Sequence, residues 1–313
     1  MKRPFGNSWF DTFLARKTAP KVPNRDLAGK MVVFTGGTDG MGRVAVKRFA
    51  EMGADIYLFG RNNQKSENVI NELRRAGYPG KFTFVRCDLG DLGQVRNAAS
   101  EVLDRCEHID YLINCAGLNF SERTLSSDGY EMNFAVNYLG PFLLTELLLE
   151  QLMATPNACI VHVTSATQAI AKLFLDDLQL EKHKWSMLQS YAQAKLCMII
   201  HARDVAARLA GSNTTINCLN PGYIRTNLVR HTKGVERLFV VLFGKLAAPT
   251  WVGAERILAA ALDSRYLVES GKFIYEDIFL EPNPLALDAT SVTKLMKISH
   301  ELTGLIETDN KQQ

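Results

Sequence analysis

No uninterrupted apolar run in the 313-residue chain reaches the roughly 18 to 20 residues that a membrane span requires. The start does not read as a secretory leader, because Phe5, Trp9, Phe10, Phe13 and Leu14 are interleaved with polar residues and no apolar core follows. Charge of one sign is scarce: the net charge is +3, too little for an electrostatic nucleic-acid footprint. The excess lies in the first 30 residues, where Lys2, Arg3, Arg16, Lys17, Lys21, Arg25 and Lys30 face only Asp11 and Asp26. The six cysteines contain no Cys-x-x-Cys pair, and several sit inside apolar strand-like runs, so they read as reduced, buried small hydrophobes. His183, His201 and His231 lack ligand spacing, and no metal site is suggested.

Nothing like a linker interrupts the chain after residue 30, which predicts an arm over residues 1–29 and one domain over 30–313. The apolar positions 5, 9, 10, 13 and 14 recur at helical spacing with basic residues at both ends. Packing on its own domain or on a second subunit is the expectation for this arm, and contact with a membrane surface is the alternative. The expected setting is cytoplasmic, and the expected assembly a homo-oligomer.

What the chain does contain is alternation. Strand-like runs are expected at 30–35, 55–60, 81–87, 109–115, 158–164, 214–219 and 272–275. Amphipathic helices are expected at 63–76, 92–106, 130–153, 190–210 and 251–262. Buried β-branched runs separated by longer helices imply right-handed crossovers, hence an α/β fold with a doubly wound parallel sheet of the Rossmann type.

The first strand ends in Thr35-Gly36-Gly37-Thr38-Asp39-Gly40-Met41-Gly42 and runs into a helical pattern. Glycines at that place let the backbone approach a pyrophosphate, whose charge the following helix N-terminus stabilises. An NAD site of this kind usually has an acid at the end of the second strand for the ribose 2′-hydroxyl. This chain has Arg61 there, after Phe59-Gly60, and a guanidinium suits a 2′-phosphate. NADP(H) is therefore the expected cofactor, with NAD(H) as the alternative. Asp39 is unusual so close to phosphates, unless it caps the helix or pairs with Arg43.

Tyr191-Ala-Gln-Ala-Lys195 is the chain's single Tyr-x-x-x-Lys pair, and on a helix that spacing puts phenol and ammonium on one face. A free phenol titrates near 10, too high for a base at neutrality, so Lys195 is expected to favour the phenolate. Ser165, at the end of a strand pattern, can stabilise a developing alkoxide on the substrate. His162, on the strand before it, reads as a satisfied core histidine.

Together with Cys87-Asp88-Leu89, Asn114-Cys115-Ala116-Gly117, Asn137 and Pro221-Gly222-x-x-x-Thr226, these motifs stand in the order of the short-chain dehydrogenase/reductase family, which the chain resembles from 30 to about 276. Asp177-Leu178-Gln179 and a long apolar insertion at 228–248 resemble the retinol dehydrogenase-like branch. The resemblance implies that Asp88 and Leu89 hold the adenine and that Asn114, Ala116 and Gly117 line the adenosine side. It also implies that Ile224 and Thr226 hold the nicotinamide carboxamide and that Lys195 holds the nicotinamide ribose. Asn137 resembles the residue that holds a water leading from Lys195 to solvent; a mid-helix Asn satisfied by its own backbone is the alternative. Cys115 replaces the family's second Asn.

The expected function is an NADP(H)-dependent oxidoreductase that interconverts an apolar alcohol and carbonyl. Reduction of a C=C bond and a non-catalytic cofactor-binding scaffold are the alternatives. Residues 228–250 are expected to form a largely helical lid over the substrate, with contact at a membrane surface or packing in a subunit interface as the alternatives.

Overall fold

A computed structural model of the protein describes residues 17–226 and 247–305. Its centre is an eight-stranded sheet in the order β3-β2-β1-β4-β5-β6-β7-β8. The strands are β1 (Met31–Thr35), β2 (Asp55–Gly60), β3 (Phe82–Arg86), β4 (Tyr111–Asn114), β5 (Cys159–Val163), β6 (Thr215–Asn220), β7 (Phe273–Tyr275) and β8 (Ile278–Leu280). Each expected strand is found within a residue or two of its expected bounds, and β1 to β7 are parallel. The central strands are Val- and Ile-rich and buried on both faces, as Cys159–Val163 is along its whole length.

Helices cover both faces. Helices α1 (Gly40–Glu51), α2 (Asn63–Arg75) and α6 (Thr250–Leu262) bury their apolar stripes on one side. On the other side lie α3 (Leu92–Leu103), α4 (Met132–Ala154), α5 (Met187–Arg208) and α7 (Ala289–Thr303). Helix α4 is long and apolar enough to cross a membrane, but 83% of its most apolar window is buried inside the protein, which makes it a core helix.

Strand β8 and helix α7 lie outside the sequence expectation. Strand β8 pairs antiparallel with β7 through a tight turn in which Glu276 adopts φ 55°. Three residues are too few to show a period of two, and the turn lacks the glycine that usually marks such a conformation. Helix α7 carries its own signals, an Asp288 N-cap and a left-handed Gly304 after its last turn.

The described part of the arm packs on its own domain. Val22 and Leu27 are buried, the Val22 amide donates to Glu255 at 2.6 Å, and Arg48 donates to the Val22 carbonyl at 3.0 Å. The aromatic segment 5–14 lies outside the described residues. All six cysteines are free; five are buried and Cys115 is partly so.

Glu146 on α4 ties two helices together beneath this core. Its carboxylate accepts from His201 at 3.0 Å and from Arg208, both on α5. Burial would raise its titration, but hydrogen bonds and charge from His201 and Arg208 carry it down to about 2. A depressed carboxyl contributes stability above its unfolded value near 4.5 and loses it as pH falls toward 2. Glu146→Gln is therefore expected to lower stability at pH 7 by on the order of 3 kcal/mol and to flatten the acid limb between those limits. Urea unfolding at pH 7, 4 and 3 checks this. An unchanged difference between mutant and parent across the three would contradict it.

Candidate active site

The strand order reverses between β1 and β4, so the crevice beyond their carboxyl ends is where this architecture takes a ligand. Gly36 has φ 78° and Gly40 φ 54°, conformations open to glycine but strained for other residues. A Cβ at Gly36 would stand 2.6 Å from the backbone N and Cα of Ala116. A Cβ at Gly40 would stand 3.2 Å from the Thr226 methyl, so the glycine turn and the Pro221–Thr226 segment face each other across a gap that any side chain would fill. Helix α1 presents its N-terminus there, and the cradle fits a dinucleotide.

The carboxylate of Asp39 accepts from the Gly40 amide at 2.7 Å as the N-cap of α1. Arg43 pairs instead with Glu72 at 2.5 Å, so capping is the route that makes an acid tolerable here. Thr35 is buried, and its hydroxyl accepts from the amides of Cys115 and Ala116 at 3.1 and 3.2 Å, which fixes the exit of β4, Gly117 included, against the turn. Asn114 turns its side chain into the core, donating to Thr145 at 3.0 Å and meeting His162 at 3.2 Å. Met41 packs with Ile224, Ala248 and Val252. Asp88 accepts from the Gly90 amide at 3.0 Å, and Leu89 is buried beside it. At the end of β2 the exposed Arg61 has no hydrogen bond or ion pair among the described residues.

Ser165, Tyr191 and Lys195 come together where β5 ends and α5 passes. Ser165 caps the turn Ala166–Ile170, its hydroxyl accepting from the Thr167 amide at 3.3 Å, and it lies near enough to the Tyr191 phenol to favour its ionisation. Lys195 donates to the Val163 carbonyl at 3.0 Å, with Nζ 5.6 Å from the centroid of the Tyr191 ring. Burial pushes the Tyr191 phenol up to about 12, opposed only by Ser165, and brings Lys195 down to about 8. The expected drop of the phenol toward neutrality is thus reversed. Both groups are out of water, and low dielectric disfavours the charged form of each.

Asn137 lies in a π-helical turn, Ala135–Leu139, of α4. Its amide donates to the carbonyls of Leu118 and Asn133, both at 2.9 Å, and its oxygen accepts from the Leu118 amide at 3.3 Å. The side chain is spent on the loop after β4 and on its own helix, the backbone-satisfied arrangement that was the alternative expectation. His162 is a buried core histidine with Nδ1 against Asn114, while its Nε2 has no partner among the described residues.

Several supporting residues were not anticipated. Glu131 caps the start of α4, accepting from the Phe134 amide at 2.8 Å, and takes the Ser190 hydroxyl next to Tyr191 at 2.7 Å. Gln193 accepts from the Phe174 amide at 3.0 Å and donates to the Leu178 carbonyl at 2.8 Å, so the helix that carries Tyr191 grips the preceding loop. Within that loop Asp177 accepts from the amides of Glu181, Lys182 and His183 at 2.7, 2.9 and 2.8 Å. Only the cap at Glu131 has a sequence signal, an acid before an apolar helix. The bonds from Ser190 to Glu131 and from Gln193 to the loop join distant segments.

Residues 30–236 match the profile of the short chain dehydrogenase family. The chain belongs to that family. Human retinol dehydrogenase 12 is 33% identical over 282 residues, 90% of this chain and 89% of that one. Human polyprenol dehydrogenase is 30% identical over 285 residues, 89% of this chain and 86% of that one. A solved structure of an uncharacterised Mycobacterium paratuberculosis protein superposes with TM-score 0.72 at 27% identity, over 90% of this chain and 95% of that one. As a short-chain dehydrogenase the protein is an oxidoreductase acting between alcohol and carbonyl, and its family uses NAD(P)(H). Of the expected lid, residues 228–246 lie outside the described residues. Its base is described: Ile224 and Ala248 form a parallel bridge, with the Arg225 amide donating to the Ala248 carbonyl at 2.8 Å.

Proposed function

We propose that the protein interconverts an apolar alcohol and its carbonyl using NADP(H), with Tyr191 as the proton-transferring residue. The observation that carries this reading is the convergence of Ser165, Tyr191 and Lys195 at the carboxyl end of β5, beside the glycine turn. The cofactor, when bound, supplies or accepts the hydride. Tyr191, protonated at neutral pH, donates its proton to the substrate oxygen, and Ser165 steadies the charge that develops there. Lys195 holds the nicotinamide ribose and, from the adjacent turn of α5, supplies the field that favours phenolate as the proton leaves. Asn137 holds the water that leads from Lys195 to solvent.

Asp88 and Leu89 take the adenine, Ala116 and Gly117 the adenosine side with Asn114 as the anchor of that strand end, and Pro221, Gly222, Ile224 and Thr226 the nicotinamide. Arg61 supports NADP(H), since it is exposed, has no partner among the described residues, and the end of β2 offers no acid. Arg86 stands opposite Gly60 in the sheet register and gives that edge a second exposed guanidinium. The apolar substrate is supported by relatives that are named for retinol and polyprenol.

Arg61→Asp is expected to shift the NADP(H)/NAD(H) ratio of kcat/KM by about a hundredfold toward NAD(H), the size that a lost charge-assisted pair plus a new repulsion can supply. Following reduced-cofactor absorbance with retinoid, polyprenoid and short aldehydes tests both parts. Equal use of the two cofactors by the unmodified protein, or no activity on any carbonyl, would sink the reading.

A further inference from the structure

Arg256 on α6 is among the largest fully buried side chains of the protein, its side chain 0% exposed. Its guanidinium donates to the Pro221 carbonyl at 2.7 Å, stands 3.3 Å from Glu276 and 3.4 Å from Asp277 in the β7–β8 turn, and donates to the Thr18 carbonyl of the arm at 3.3 Å. Three distant segments therefore meet on one cation. A buried ion pair rarely adds stability over an apolar packing of the same volume, so its geometry calls for another account. The segment it grips starts the Pro221–Thr226 loop. A Cβ at Gly222, where φ is 80°, would lie 2.9 Å from Arg256 Nη1 and 2.7 Å from Glu276 Oε1. The loop is pressed directly onto the clamp.

The same helix sets the far end of the loop. Gly253 precedes Arg256 by three residues and so shares its face of α6. A Cβ at Gly253 would stand 2.7 Å from Met41 Sδ and 3.1 Å from Ile224 Cγ1, which means that the glycine turn and the loop both lean on bare backbone there. One face of α6 thus fixes where Pro221 begins and how near Ile224 comes to Met41.

We propose that Arg256 is a positioning residue for the nicotinamide half of the cofactor site, holding Pro221–Thr226 against the glycine turn through the Pro221 carbonyl, with Glu276 and Asp277 as its counter-charges. This rests on the assignment of that loop to the nicotinamide. A planar fork is needed because one cation must reach a carbonyl and two carboxylates in fixed directions, which a lysine ammonium cannot do together.

The test compares dissociation constants, by calorimetry, for the whole cofactor and for the corresponding ADP-ribose fragment that lacks nicotinamide. Arg256→Gln is expected to weaken the whole cofactor about tenfold and to lower kcat alongside, with the fragment changed less than about twofold; Arg256→Lys should fall between parent and Gln. Equal weakening of cofactor and fragment, or of neither, overturns the proposal. If the Gln variant fails to fold, Arg256→Lys carries the same comparison, since it keeps the charge that balances Glu276 and Asp277. Thr226→Ala run in parallel separates the two layers: if it leaves the cofactor-to-fragment ratio unchanged, the loop assignment is wrong. If it raises the ratio and both Arg256 variants do not, the assignment stands and the clamp falls.

Discussion

Replacing Tyr191 by phenylalanine is expected to lower kcat by at least about a hundredfold while leaving cofactor affinity within about twofold. The substitution removes one oxygen from a side chain that is 6% exposed and packed among residues of α5, so little volume and no ion pair are lost. What disappears is the transferable proton, whose pKa of about 12 keeps it on the enzyme across the neutral range. Lys195 remains bonded to Val163 and Ser165 keeps its cap on the following turn, so the cofactor side of the site should be intact. Steady-state kinetics paired with cofactor titration decides the matter. A variant that retains more than a tenth of parent kcat, a barrier change under about 1.4 kcal/mol, would remove Tyr191 from the proton-transfer role.

Gly36→Ala should abolish tight cofactor binding, with a loss of about a hundredfold or more in affinity. Its Cβ would meet Ala116 N and Cα at 2.6 Å, and neither can swing away because both are backbone at the exit of β4. Either the turn or the strand end must move, and both line the crevice. A left-handed residue also costs about 1 kcal/mol or more when it gains a Cβ. Gly77 isolates that second effect, since it has φ 72° and nothing within 4 Å of its would-be Cβ. Gly77→Ala should lower the melting temperature by a few degrees with cofactor affinity unchanged. If the two variants lost stability and affinity alike, the close approach at Ala116 would have no part in forming the cradle.

The periodicity of the chain carried the architecture, because strands buried on both faces and helices with one apolar stripe leave their mark in residue order. β1 and the turn at Gly36 were legible for this reason, as was the Tyr191–Lys195 pair, whose geometry depends only on one helical turn. The acid at Asp39 could be narrowed to two outcomes from sequence, and only the fold chose between them by placing Glu72 within reach of Arg43. The ionisation of the site was not legible at all. Lys195 one turn from Tyr191 argues for a lowered phenol, but burial under β5 and α5 raises it, and burial is a property of packed layers rather than of spacing. Glu131 beside Ser190, Gln193 on the Asp177 loop and Arg256 on Pro221 join segments separated by 15 to 59 positions along the chain. The sequence by itself determined which residues could do the chemistry, since motif and period are local. Which of them face one another, and with what charge, was decided by the tertiary structure, because distance and dielectric exist only once the layers have closed.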